Sequence, residues 1–189
     1  MQYYSLAKQS SNVDFKTAAI TGQAPDKGLY FPTNIPSFTS EQIERFKTLD
    51  KASLAFEVMK PYVGGTIDDA SLQKICAETI AFDFPLVPIT DTLLSLELFH
   101  GPTLAFKDVG ARFMSRCLGY FSNQTRSEKP STVLVATSGD TGGAVANGFL
   151  GVQGVDVIIL YPKGKVSPIQ ELQLTTCGCL LYTSPSPRD

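Results

Sequence analysis

The sequence predicts an α/β protein: a mainly helical N-terminal unit followed by an open, mostly parallel sheet. Three observations predict it. Two apolar runs, at 132–137 and 155–161, flank a Gly-rich turn and a helix-compatible stretch, the order of a βαβ unit. Ahead of them, residues 36–84 carry three apolar stripes at helical spacing, two of them with a polar residue placed to start the helix. Between these regions, a strand-like run at 93–99 meets a Gly101-Pro102 turn, and an amphipathic helix follows from Asp108.

Taken in order, residues 1–35 read as short extended pieces joined by turns. The aromatic runs at 3–6 and 28–32 are candidates to pair as strands. Asp14 precedes a short helical run that Gly22 stops. Thr39 and Gln42 have capping-box spacing ahead of Ile43, Phe46 and Leu49. A second helix is expected over 52–62, closed by Pro61 and Gly64-Gly65. Asp68 or Asp69 caps a third, with Leu72, Ile75, Cys76, Thr79 and Phe82 on one face. The prolines of 84–88 mark a boundary. The organisation expected is therefore a unit over 1–85, a second over 86–176 and a tail over 177–189.

From Asp108 a helix presents Val109, Phe113, Cys117 and Phe121 at i, i+4 spacing, with Met114 beside them. Residues 122–131 are polar and read as a surface loop. The run 132–137 reads as a buried strand, and Ser138-Gly139-Asp140-Thr141-Gly142-Gly143 as a Gly-rich loop before a helix that begins at Ala144. Open α/β sheets bind ligands at this end of their strands. Backbone N–H groups and the Ser138 and Thr141 hydroxyls can converge on an anion there. A tight turn whose glycines only let helix and sheet approach is the plain alternative.

Composition narrows the function classes. A formal net charge of −2 with 18% charged residues gives no basic field, which argues against nucleic acid or an anionic membrane as partner. No stretch has the length and apolarity of a membrane helix, and the first residues carry no signal pattern, so a cytoplasmic protein is expected. Cys76 and Cys117 lie on apolar faces, and Cys177-Gly178-Cys179 is too short a pair for zinc, so no metal site is expected. The single histidine, His100, confines any Ser/His/Asp chemistry to one place. The Gly-rich loop is not a dinucleotide fingerprint, because Gly139-x-x-Gly142-Gly143 has the wrong spacing and no acid ends the second strand. Gly164-Lys165 is not a phosphate-binding P-loop, and Ser138 lacks the glycine of a nucleophile elbow.

Lys107 is the residue that invites chemistry. It follows Leu104, Ala105 and Phe106 and stands at a helix start. Apolar neighbours and a helix's positive end both favour the neutral form of an amine placed there, the form that condenses with an aldehyde. From spacing alone, a lysine that snorkels its charge to water is the commoner case.

The wording of the segment adds a resemblance. Glu97-Leu98-Phe99-His100-Gly101-Pro102-Thr103-Leu104-Ala105-Phe106-Lys107-Asp108 resembles the cofactor-lysine segment of the threonine synthases, pyridoxal-phosphate enzymes of the tryptophan-synthase-β structural family. Thr137-Ser138-Gly139-Asp140-Thr141-Gly142-Gly143 resembles their substrate-facing loop. The run 161–170 and the Gly-Leu-Tyr-Phe-Pro opening at 28–32 are also similar, and the resemblance runs from Tyr3 to Thr176. It implies an incomplete sheet of the tryptophan-synthase-β type and conversion of O-phospho-L-homoserine and water to L-threonine and phosphate. It implies that Lys107 holds pyridoxal 5'-phosphate as a Schiff base and moves protons. Ser138, Gly139, Asp140, Thr141 and Gly142 would hold an anionic part of the substrate, with Arg112 and His100 as lesser candidates. Lys163 and Lys165 read first as solvated loop lysines. A serine or threonine dehydratase of the same structural family is the nearer alternative, and a non-catalytic anion-binding fragment the distant one. After Thr176 the family pattern stops, and 177–189 has the composition of a disordered tail. The groups that hold the cofactor's phosphate and ring nitrogen lie in the family's C-terminal half. The chain alone is therefore expected to be poorly active or inactive, with an open sheet edge that invites association.

Overall fold

The computed structural model describes residues 1–125, 130–177 and 180–184. The chain divides into two compact units, 1–80 and 81–189.

In the first unit, β1 (Tyr3–Ser5) pairs antiparallel with β2 (Tyr30–Pro32), as the two aromatic runs predict. α1 (Phe15–Thr21) starts on Asp14, whose carboxylate accepts the Thr17 N–H, and stops at Gly22 with φ 68°. α2 (Ser40–Phe46) has the full capping box, Thr39 and Gln42 each accepting the other's backbone N–H. α3 (Lys51–Val63) is capped by Asp50 and ends at Gly64, φ 62°. Pro61 does not close it, because a proline in the last turn forfeits only one helix bond. Asp68, rather than Asp69, caps α4 (Asp69–Thr79) by accepting the Ser71 N–H. Leu72, Ile75, Cys76 and Thr79 form its buried face as expected. Phe82 lies beyond the helix end and so outside that face. Burial pushes the Cys76 thiol up to about 11, so this cysteine is packing material rather than a nucleophile.

The second unit departs from expectation at once. β3 (Leu86–Thr90) takes up the end of the proline stretch 84–88, with Pro88 inside it, and pairs antiparallel with β4 (Leu93–Leu96). A two-strand hairpin leaves one edge of each strand unpaired, so a proline is tolerated, and the register shifts between Pro88 and Thr90. The turn between the strands is tightened by the Thr90 hydroxyl, which accepts the N–H groups of Thr92 and Leu93. The strand expected over 93–99 thus ends at Leu96 and belongs to a hairpin, not to the parallel sheet.

α5 (Asp108–Thr125) follows, with Cys117 and Phe121 fully buried. Of the polar loop expected next, residues 126–129 lie outside the described residues. β5 (Ser131–Ala136), α6 (Asp140–Phe149) and β6 (Val155–Pro162) form the expected βαβ unit, with β5 and β6 parallel and Val133 opposite Val157. After α7 (Pro168–Thr175), β7 (Leu180–Ser184) adds parallel to β6, giving the order β5-β6-β7. Residues 180–184 of the expected disordered tail are therefore a strand, because the free edge of β6 offers an unpaired ladder to Leu180–Ser184. Residues 178–179 and 185–189 of that tail lie outside the described residues. Among the described residues, parallel pairing is confined to this three-stranded sheet, and the other two sheets are antiparallel pairs.

The core of this unit lies on one sheet face: Val155, Val157, Ile159 and Tyr161 of β6 meet Ala146 and Phe149 of α6 and Leu174 of α7. β5 is not the buried strand expected, since Leu134 is 63% exposed. Its apolar residues on both faces suit a strand covered twice, and the described residues cover one face. Among the described residues no helix is long and apolar enough to cross a membrane.

α5 and α6 touch where Gly148 meets Ala111. A Cβ on Gly148 would stand 3.0 Å from the Ala111 carbonyl carbon. Gly148→Val is expected to destabilise this unit by about 2 kcal/mol through overpacking. Urea unfolding measures it, and an unchanged midpoint would show that the two helices have room to part.

Candidate functional site

The site is built where two chain segments meet. The first is the loop 101–107, between the hairpin and α5. Asp108, the first residue of α5, is 1% exposed. Its carboxylate turns back over the loop and accepts the Thr103 N–H at 2.9 Å and the Thr103 hydroxyl at 2.5 Å. A Cβ on Gly101 would run into that carboxylate, so only glycine fits there. The Leu104 N–H donates to the Gly101 carbonyl and the Asp108 N–H to the Ala105 carbonyl, closing a tight turn on each side. Leu104 has φ 59°, a left-handed conformation that costs a leucine about 1 kcal/mol.

The second segment is the turn from β5 into α6. The helix begins at Asp140, four residues ahead of the expected Ala144, so Thr141, Gly142 and Gly143 belong to its first turn. Gly139 at the N-cap has no side chain to satisfy the first N–H groups. Thr137 supplies one instead: its hydroxyl oxygen accepts the N–H groups of Gly139 at 3.2 Å and Gly142 at 3.0 Å. The same hydroxyl donates to the Gly139 carbonyl. A Cβ on Gly142 would collide with Thr137, which is why the turn needs glycine there. Ser138 and Thr141 stand exposed on its outer side.

The two segments join through Lys107 and Asp140. The Lys107 amine lies 2.8 Å from the Asp140 carboxylate, across 33 residues of sequence. It also lies over the Phe106 ring, 4.8 Å from its centre. The hydrogen bond from Lys107 holds the Asp140 carboxyl below its ordinary 3.8, and the charge of Lys107 and the N–H groups of Asp140 and Thr141 act in the same direction. A carboxylate thus already sits among the donors at the start of α6.

The apolar wrapping expected around Lys107 is absent from its own stretch. Leu104 and Phe106 are 71% and 60% exposed, and the lysine side chain is 32% exposed. The left-handed turn at Leu104 directs these side chains outward, leaving Ala105 as the buried member of the run.

The other candidates are engaged elsewhere. His100 stacks on Phe99 and lies 2.6 Å from the Glu97 carboxylate through Nε2. Arg112 places its guanidinium 6.0 Å from the centre of the Phe82 ring. Lys163 and Lys165 are exposed in the turn after β6, where the Lys165 N–H donates to the Pro162 carbonyl. Among the described residues, no three His, Cys, Asp or Glu side chains come together as metal ligands.

Sequence reasoning missed Thr103, Asp108 and Thr137 as site-building residues. Asp108 was legible only as the first residue of a helix. The spacing Thr103 to Asp108 just after a Gly-Pro turn is the signal of a carboxylate folded back on its own loop. Gln170 and Gln173 of α7 were also missed: Gln170 lies against Gly139, and Gln173 lies beside Gly143 and donates to the Thr103 carbonyl at 3.4 Å.

These features define an α/β protein with a candidate site where Lys107 meets the Gly-rich start of α6. Residues 2–80 match the family described as threonine synthase N terminus. The threonine synthase of Serratia marcescens is 39% identical over 183 residues, covering 97% of this chain and 42% of its own. That match takes in more of the chain than the span 3–176 over which the resemblance is drawn. The crystal structure of threonine synthase from Escherichia coli superposes with a TM-score of 0.88 at 38% identity, over 99% of this chain and 43% of that one. A threonine synthase from Brucella melitensis, solved with pyridoxal phosphate bound, gives 0.85 at 39% identity, over 92% of this chain and 38% of that one. The chain belongs to the threonine synthase family, and it spans about two fifths of the length of the relatives it matches.

The ion pair fixes the sign of one pH response. Asp140's depressed pKa means that the pair is intact at neutral pH and is lost as pH falls through that depressed value. In Lys107→Ala the Asp140 midpoint is expected to rise toward 3.8, read by NMR titration of its side-chain carboxyl carbon. A midpoint that stays where it was would assign the shift to the helix start alone.

Proposed function

We propose that this chain carries the lysine side of a threonine synthase active centre, with Lys107 as the residue that bonds pyridoxal 5'-phosphate. The observation that carries the reading is the Lys107 amine, one third exposed, held 2.8 Å from Asp140 at the Gly-rich start of α6.

The residues present fit the aldehyde end of such a cofactor. A primary amine stands accessible on a loop whose backbone is tied on both sides. Exposed hydroxyls of Ser138 and Thr141 lie on the neighbouring helix start. When bound, pyridoxal phosphate draws electron density from the carbons next to the substrate's amine, so that protons can leave them. Lys107, as a free amine, is placed to take and return those protons. Ser138, Gly139, Thr141 and Gly142 bind an anionic part of the substrate at the helix's positive end. Asp140 holds the lysine in the absence of that anion and gives way to it. His100 and Arg112, engaged with Glu97 and Phe82, have a smaller share in this reading.

The reaction proposed for the family member that contains these residues is O-phospho-L-homoserine plus water giving L-threonine and phosphate. The partner is this small molecule. This chain by itself is expected to turn it over poorly.

Absorbance spectroscopy with added pyridoxal phosphate tests the cofactor reading. The lysine amine condenses with the aldehyde with loss of water, and borohydride then adds hydride to the carbon–nitrogen bond. A visible band that borohydride abolishes, and that Lys107→Ala lacks, is expected. The same band in Lys107→Ala would assign the cofactor to another lysine and overturn the reading.

A further inference from the structure

We infer that Thr103 and Asp108 form a positioning clamp for Lys107, holding Leu104 in its left-handed turn and so fixing the direction in which the lysine leaves the loop. The inference rests on the reading of Lys107 as the cofactor lysine, and it concerns residues that touch neither cofactor nor substrate in that reading.

Three observations carry it. First, Asp108 is buried, whereas an acid at a helix start is ordinarily a surface residue. Both of its oxygens are used on one partner, accepting the backbone and the side chain of Thr103. Since Asp108 directly follows Lys107, the clamp ties the residue after the lysine to the residue four before it. Second, Leu104 sits inside the clamped loop with φ 59°. A leucine reverts to negative φ unless surrounding bonds hold it, and reversal there would swing the chain that leads to Lys107. Third, the clamp is tied to the other half of the site. Gln173 donates to the Thr103 carbonyl and lies beside Gly143, in the first turns of the helix that carries Asp140. The loop and the helix start are therefore registered to each other through α7.

A merely structural clamp would stabilise the unit without changing how Lys107 reacts. The two roles separate experimentally in the full chain. The variants are Thr103→Val, which removes the hydroxyl, Thr103→Ser, which restores it, and Asp108→Asn, which removes the charge in nearly the same volume. Two quantities are read: hydrogen exchange at the Leu104 and Asp108 amides, and the rate at which pyridoxal phosphate becomes fixed to Lys107 by borohydride.

Thr103→Val and Asp108→Asn are each expected to slow fixation about tenfold, the scale of one hydrogen bond to a charged group. Both are expected to speed exchange at the two amides, with the thermal midpoint of Thr103→Val little changed. Thr103→Ser is expected to match the parent in both. Should Thr103→Val fail to fold, Asp108→Asn and Thr103→Ser carry the same comparison. Unchanged exchange and unchanged fixation in Thr103→Val or Asp108→Asn would overturn the clamp. Loss of stability with an unchanged fixation rate would overturn it too, leaving a structural role. If the parent shows no fixation at Lys107, the cofactor reading falls, and the exchange arm then decides the clamp by itself.

Discussion

The site depends on one approach: the amine of Lys107, carried by an irregular loop, reaches the carboxylate of Asp140 at the start of α6. The ion pair does not hold the two segments together. The Asp140 side chain is 52% exposed, and an exposed pair contributes little to stability. The pair is a consequence of what lies behind it. α6 is seated on β6 by Ala146 and Phe149 against Val157 and Ile159. The loop is seated by the buried Asp108 and by Ala105. Both seats are buried, so the two partners meet without a search through backbone conformations.

This arrangement explains the irregular features of the chain. Left-handed backbone at a leucine, a glycine that no other residue can replace at Gly101, and a buried carboxylate are each unfavourable by themselves. They occur together within eight residues, and each is answered by another: Asp108 fills the space that Gly101 leaves, and the bonds to Thr103 satisfy Asp108. The turn into α6 follows the same logic. Gly139 cannot cap the helix, so Thr137 does, and Gly142 leaves the room that this needs. The result is a helix start whose outer side, with Ser138 and Thr141, is left open to solvent.

Much of the local structure was legible in the sequence because it depends on neighbours in the chain. The caps at Asp14 and Thr39, the cap at Asp68 or Asp69, and the βαβ order are local signals, and the structure has them, with Asp68 as the third cap. The hairpin of β3 and β4 was not, because Pro88 reads as a breaker unless the strand is known to lie in a two-stranded pair. The early start of α6 was hidden because its first turn contains Thr141-Gly142-Gly143, poor helix formers that Thr137 holds from outside. Burial was misread at β5 and at Lys107 for one reason. An apolar run shows that a segment can be covered, but not which neighbours cover it. Lys107 itself and the Gly-rich turn were legible as residue types; their meeting through Asp140 was not, since it joins segments 33 residues apart.

The central claim is that this geometry singles out Lys107 among the lysines of the chain. Peptide mapping after borohydride treatment with pyridoxal phosphate tests it most directly. The account predicts that the reduced adduct is found on the peptide containing Lys107, at a stoichiometry near one per chain. Label spread over surface lysines such as Lys163 and Lys165, with no excess at Lys107, would contradict it.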